Sequence, residues 1–206
     1  MSNLNNIKWK QIMNLFNDFR MLDNVPVMVC KLPTEIFDWE IKHFVQEGRK
    51  YKTHPLSFLR QHYNAGENKF QVAVPRHLCS DAFVMPYLIY LGQFFLYKLD
   101  GIDLEDSLRG LSIRQASNHF DNIDFWINYA QKGDYNPNHT HSDNQGLSGV
   151  IYVTGNGNPT VFNDTTELHG MPGEIAIFPA GLLHKVEKQT QDEERITMSF
   201  NLRVDL

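Results

Sequence analysis

Four residues in the C-terminal half could hold a metal ion. His139, His141 and Asp143 lie in Gly133-Asp134-Tyr135-Asn136-Pro137-Asn138-His139-Thr140-His141-Ser142-Asp143, and His184 ends Phe178-Pro179-Ala180-Gly181-Leu182-Leu183-His184. The first three share parity, so on an extended strand their side chains point to one face. One strand can thus deliver two ligands to one metal, with His184 as the distant third. A 2-His-1-carboxylate facial triad leaves positions open on Fe(II) for a chelating cosubstrate and O2. Zinc accepts similar ligands, so ligand type alone does not select the metal.

A single histidine is more often a surface group or a hydrogen-bonded core residue than a ligand. His43, His54, His62, His77, His119 and His169 are read that way. The clustered histidines differ, because they precede an apolar strand at metal spacing and His184 follows a Pro-Gly turn. Arg195 tips the balance towards iron. It lies eleven residues beyond His184 and opens Arg195-Ile196-Thr197-Met198-Ser199-Phe200. Alternation there aims Arg195, Thr197 and Ser199 at one face. A buried guanidinium with a hydroxyl beside it suits a terminal carboxylate, through paired charge-assisted hydrogen bonds.

The elements that must position these groups follow from patterning. Short β-rich runs span Phe125 to Ala130, Leu147 to Thr154, Thr160 to Asn163, Glu174 to Phe178 and Arg195 to Arg203. Gly155-Asn156-Gly157-Asn158-Pro159 and Met171-Pro172-Gly173 are turn signals between them. Many short strands with tight turns predict a sandwich or barrel, the jelly roll among them. The N-terminal half reads as helical. Trp9, Ile12, Met13 and Phe16 form one stripe, and Pro33-Thr34 opens a second helix with Phe37, Ile41, Phe44 and Val45 on one face and Gly48 near its end. Ser80-Asp81 is placed to cap an apolar helix that Gly101 stops. That helix, Ala82 to Leu99, contains Pro86, Gly92, Gln93 and Lys98 and is read as buried and not as a membrane span. The expectation is one domain over 1–206, with a mainly helical support at 1–110 and a jelly-roll core at 111–206, in which helices pack outside the β core.

Composition narrows the function classes. With 206 residues of which 42% are apolar, disorder is not expected. The net charge is −5 and no Lys/Arg cluster exceeds two neighbours, which argues against a nucleic-acid partner. Cys30 and Cys79 are far apart and in no metal spacing, which fits a reducing cytoplasm (the host's, if virally encoded). Met1 to Lys10 is polar and lacks the apolar core of a signal peptide.

The sequence resembles the Fe(II)/2-oxoglutarate oxygenase superfamily, and more narrowly the oxygenases of phages and marine bacteria. The matching pieces are Phe125-Trp126-Ile127-Asn128-Tyr129, Gly133 to His141, Leu147-Ser148-Gly149-Val150-Ile151-Tyr152-Val153, Gly173 to His184, and Arg195 to Asn201. The resemblance implies a double-stranded β-helix of the jelly-roll or cupin type flanked by helices. It makes His184 the distal iron ligand and has Arg195 grip the C5 carboxylate of 2-oxoglutarate. Tyr152 looks like the tyrosine that joins such an arginine, and Asn128 and Tyr129 lie where related enzymes contact the cosubstrate.

His141-Ser142-Asp143 fits the superfamily's His-x-Asp pattern. The spacing from Tyr129 and Gly133 points instead to His139-x-His141, which with Gly173-x5-Pro179-x-Gly181-x2-His184 also resembles the two cupin motifs. His141 and His184 are ligands in both registers, and the third is Asp143 or His139. The resemblance implies a hydroxylase that uses Fe(II), 2-oxoglutarate and O2, with ascorbate as reductant, on a peptide (prolyl or other) or small-molecule substrate. No amino-acid catalyst beyond the metal centre is expected. Two rivals stand: a three-histidine cupin metalloenzyme without 2-oxoglutarate, and a non-catalytic jelly-roll binding protein.

Overall fold

The computed structural model describes residues 18–50, 70–74, 76–79, 82–100, 123–141, 146–155 and 157–203. Its longest strand, β11 (Arg195–Arg203), shows how the barrel is organised. Ile196, Met198, Phe200 and Leu202 occupy alternate positions and join one apolar cluster with residues of the helices. The intervening Arg195, Thr197, Ser199 and Asn201 take the opposite face, because successive strand side chains alternate. All of these but Ser199 are buried, so β11 is covered on both sides.

The other strands follow in chain order: β1 (Phe19–Met21), β2 (Met28–Lys31), β3 (Phe70–Ala73), β4 (Ile123–Ala130), β5 (Asn136–His139), β6 (Gly146–Tyr152), β7 (Thr160–Phe162), β8 (Thr166–Leu168), β9 (Glu174–Pro179) and β10 (His184–Val186). A seven-stranded sheet has the order β1-β2-β9-β6-β11-β4-β3, and a four-stranded sheet the order β5-β10-β7-β8. Neighbours pair antiparallel throughout. A second apolar cluster joins Val150, Tyr152, Ala176 and Phe178 of the large sheet to Phe162 and Leu168 of the small one. The two sheets therefore face each other across a shared interior, as in a double-stranded β-helix.

Helices cover the outer face of the large sheet. A wide π-type turn, Ile36–Ile41, runs into α1 (Lys42–Lys50), and Ile41, Phe44 and Val45 are buried against the sheet cluster. After the short α2 (Arg76–Cys79) comes α3 (Val84–Asp100), whose Leu88, Leu91, Phe94 and Phe95 are buried in the same cluster. This is the apolar helix read from the sequence. Among the described residues no helix is long and apolar enough to cross a membrane. The expected cap at Ser80-Asp81 lies outside the described residues, as do Gly101 and the stripe from Trp9 to Phe16. The start of α3 is held from a distance: Glu40 accepts from the backbone N–H groups of Phe83 at 2.7 Å and Val84 at 2.8 Å. A carboxylate at a helix N-terminus satisfies orphan donors and the local dipole together.

The first half of the chain is mainly helical in its described part but also contributes strands. β1, β2 and β3 lie within residues 1–110 and belong to the large sheet. They are three or four residues long, too short to show a period, and their partners are distant: Met28 pairs with Ile177, and Val72 with Ile127. β5, β8 and β10 are equally short and complete the small sheet.

Close packing leaves no room for a side chain at Gly149. Gly149 in β6 lies opposite Phe200, and a Cβ there would stand 2.1 Å from the Phe200 ring and 2.7 Å from the Ala176 carbonyl oxygen. The ring is fully buried and the oxygen is backbone, so neither yields easily. Gly149→Ala is expected to destabilise the fold by about 1–3 kcal/mol, the range for overpacked cores. The check is the urea midpoint, which should fall with little change in slope.

Candidate metal centre

His184 opens β10 and pairs directly with His139 at the end of β5. Directly opposed residues in antiparallel strands bring their side chains together, and the two ring centroids are 4.2 Å apart. His141 lies just past β5. Its N–H donates to the Ala180 carbonyl at 2.8 Å, which ties it to the Pro179–Gly181 turn that precedes His184. Its ring centroid is 5.1 Å from that of His139 and 5.2 Å from that of His184. One potential ligand atom from each of the three lies within 4.8 Å of the others.

Backbone carbonyls orient two of the rings. His139 Nδ1 is 2.8 Å from the Pro137 oxygen, and His184 Nδ1 is 2.8 Å from the Leu182 oxygen. A carbonyl only accepts, so each Nδ1 carries the proton and each Nε2 keeps its lone pair. This is the arrangement metal-binding histidines use. Phe178 packs edge-on to His184 with centroids 4.9 Å apart, and Trp126 lies 6.2 Å from His141.

Burial, and then the neighbouring His139, keep His141 and His184 neutral. Desolvation, then the neighbouring His139, push His184 down to about 3 and His141 down to about 4. Neutral imidazoles are ready ligands, since a metal must otherwise displace a proton. There is also a stability consequence. Unfolded histidines titrate near 6.5, so between that pH and the folded values the unfolded chain binds more protons. The stabilisation is complete above about pH 6.5 and is lost as pH falls towards the folded values. Metal-free protein should show a lower urea midpoint at pH 5 than at pH 7.5, and His184→Phe should flatten that difference.

The first residue of β11, Arg195, is 6% exposed. Its Nη2 donates to Thr160 Oγ1 at 3.3 Å, and its guanidinium carbon is 5.9 Å from the Tyr152 ring centre. The Tyr152 hydroxyl donates to the same Thr160 oxygen at 2.9 Å. Burial lowers the arginine's pKa and Tyr152 partly opposes this, yet a guanidinium stays charged in proteins. Among the described residues no carboxylate pairs with it. A buried, uncompensated cation is costly, so the pocket suits an anion.

Register relates this pocket to the histidines. In β7, Thr160 and Phe162 share a face, and Phe162 pairs with His184 while Thr160 pairs with Val186. The Phe162 ring is 6.2 Å from the His184 ring. The Arg195 contact is thus two residues along the strand from the histidine cluster, a step of about 7 Å.

The remaining sequence candidates divide. Thr197 and Asn128 are paired across β11 and β4 on the interior face, and Asn128 Nδ2 donates to Thr197 Oγ1 at 3.3 Å and Ser199 Oγ at 2.9 Å. Tyr129 is a correction. It cannot share a face with Asn128, and its hydroxyl donates to the Val45 carbonyl of α1 at 2.5 Å, on the helix side of the sheet. Asp143 lies outside the described residues. His43 and His169 are exposed surface groups, as expected. Thr160, which joins Tyr152 to Arg195, was not singled out from the sequence, since a threonine in a three-residue strand carries no local signal.

The residues fit both groups that the family resemblance implies. Three convergent imidazoles are a suitable donor set for a first-row ion, and the Arg195 pocket is suited to a carboxylate. Known proteins resemble the chain in one sequence segment and in fold. A family described as "Putative 2OG-Fe(II) oxygenase" matches residues 157–201, which include Thr160, His184 and Arg195. No curated protein matches the chain by sequence. A Pseudomonas putida prolyl-4-hydroxylase is similar in structure with a TM-score of 0.54 at 14% identity, covering 88% of this chain and 94% of that one. The viral collagen prolyl hydroxylase vCPH from Paramecium Bursaria Chlorella virus-1, in its 2OG complex, gives a TM-score of 0.50 at 13% identity over 90% of this chain and 100% of that one. The chain spans just over half, 56%, of a 2OG-Fe(II) oxygenase-family oxidoreductase from Burkholderia pseudomallei, with 48% of this chain covered, 14% identity and a TM-score of 0.35. In its jelly-roll fold and in the matched segment that carries His184 and Arg195, the chain resembles the 2OG-Fe(II) oxygenases.

Proposed function

We propose that the protein is an Fe(II)- and 2-oxoglutarate-dependent oxygenase that hydroxylates a peptidyl or small-molecule substrate. The observation that carries this reading is the buried guanidinium of Arg195, without a carboxylate partner among the described residues, inside the barrel that gathers three histidines. His139, His141 and His184 hold the iron. Arg195 and Tyr152 hold the far carboxylate of 2-oxoglutarate, and Thr197 and Asn128 supply polar groups along the same wall. Bound iron supplies the redox chemistry, coupling decarboxylation of 2-oxoglutarate to substrate oxidation, with ascorbate as a supporting reductant. Peptidyl proline is the first substrate class to test, because two proteins of similar fold are prolyl hydroxylases.

The test is succinate formation from 2-oxoglutarate with Fe(II), O2 and ascorbate, first without substrate and then with proline-containing peptides. Tight iron binding without any succinate would favour a three-histidine cupin metalloenzyme. That rival draws support from the third histidine, but it leaves Arg195 without an anion.

The third ligand has its own test. The convergence of three imidazoles supports His139 as a ligand. His139→Ala should therefore lose tight iron binding. Asp143→Ala should keep it, with at most the 10–100-fold loss typical of an outer acceptor, about 1.4–2.7 kcal/mol. The reverse pattern in a metal titration would assign Asp143 as the ligand.

A further inference from the structure

Gln189, in the loop between β10 and β11, is 2% exposed and its side chain is only half satisfied. Its Oε1 accepts from the Asn158 N–H at 2.9 Å, while its Nε2 is a buried donor with no partner among the described residues. Leaving a buried donor unmade is expensive, and native proteins rarely do so without a reason. The residue is not loosely placed. Its own N–H donates to the Asp134 carbonyl at 2.7 Å, and its carbonyl accepts from Gly133 N–H at 2.8 Å. The loop is also stapled by Asn158, which donates through Nδ2 to the Lys188 carbonyl at 2.7 Å and accepts from Thr190 Oγ1 at 3.2 Å.

The free donor is a neighbour of Arg195. A Cβ built on Gly157 would stand 2.5 Å from Gln189 Nε2 and 2.9 Å from Arg195 Cδ. Gly157 has φ of +107°, a conformation that favours glycine, and having no side chain it leaves that space to the two. A primary amide donor beside the Arg195 stem, one carbon from the guanidinium, with both groups buried and neither meeting an anion among the described residues, suits a single carboxylate.

We propose that Gln189 is a second donor to the far carboxylate of the 2-oxo acid cosubstrate, acting through Nε2 beside Arg195, and that it helps select dicarboxylic over monocarboxylic 2-oxo acids. This rests on the reading that Arg195 grips that carboxylate. Gln189 is a binding residue and takes no part in proton or electron transfer.

The experiment compares two ligands on Mn(II)-loaded full-length protein by calorimetric titration. One is 2-oxoglutarate. The other is 2-oxopentanoate, the same carbon chain with a methyl group in place of the far carboxylate. The variants are Gln189→Leu and Gln189→Glu. Glutamate keeps an oxygen for the Asn158 N–H but replaces the donor by an acceptor, so it decides the matter if the leucine variant does not fold. The expected result is that the parent prefers 2-oxoglutarate and that both variants bind it about 10–100-fold more weakly. Mn(II) and 2-oxopentanoate affinities should be unchanged. Parent-like 2-oxoglutarate affinity in the glutamate variant, or an equal loss for both ligands, overturns the role of Gln189 alone. A parent with no preference between the ligands overturns the Arg195 reading and this inference with it.

Discussion

His184→Ala is expected to abolish tight Fe(II) binding while the barrel stays folded. His184 is the most buried of the three imidazoles, pairs directly with His139, and has its lone pair directed by the Leu182 carbonyl. Loss of an outer-shell partner typically costs 10–100-fold in metal affinity, so loss of a ligand should exceed about 100-fold, or roughly 2.7 kcal/mol. The fold should survive, because Phe162 and Phe178 around the vacated ring remain anchored in the apolar cluster between the sheets. Fe(II) or Mn(II) titration alongside circular dichroism separates the two effects. A folded mutant that binds iron as well as the parent would show that the site is misplaced.

Arg195→Lys should weaken 2-oxoglutarate binding nearly as much as Arg195→Ala, with iron binding almost intact. A guanidinium offers two parallel hydrogen bonds to a carboxylate, and an ammonium does not. In a pocket this dry, loss of the charge-assisted pair should cost about 2–4 kcal/mol, or roughly 30–1,000-fold in affinity. Arg195→Met should also stabilise the ligand-free protein, since it removes a buried charge that no described carboxylate offsets. Unchanged 2-oxoglutarate affinity in these variants, measured by calorimetry on Mn(II)-loaded protein, would turn the reading to the three-histidine cupin alternative.

Much of the barrel was legible in the sequence where strands are long. The run from Arg195 to Arg203 matches β11 residue for residue, because nine residues of clean alternation leave little ambiguity. The short strands β1, β2 and β3 were not legible, since three or four residues cannot establish a period. Glu40, which caps α3 from 43 residues upstream, could not be found by a local capping rule.

At the site, the two-residue period of an extended chain groups His139 with His141 and Asp143, and Arg195 with Thr197 and Ser199. β11 carries the second group, whereas β5 ends at His139 and His141 lies beyond it. Which face meets which neighbour was decided only by the tertiary structure. Tyr129 and Asn128 are adjacent in sequence, yet one packs against α1 and the other lies in the barrel, because the large sheet has helices on one side and the small sheet on the other. Thr160, Gly157 and Gln189 reach Arg195 from 35, 38 and 6 residues away. Their roles arise from strand register and loop closure, which depend on contacts between distant segments and leave no mark in any local window.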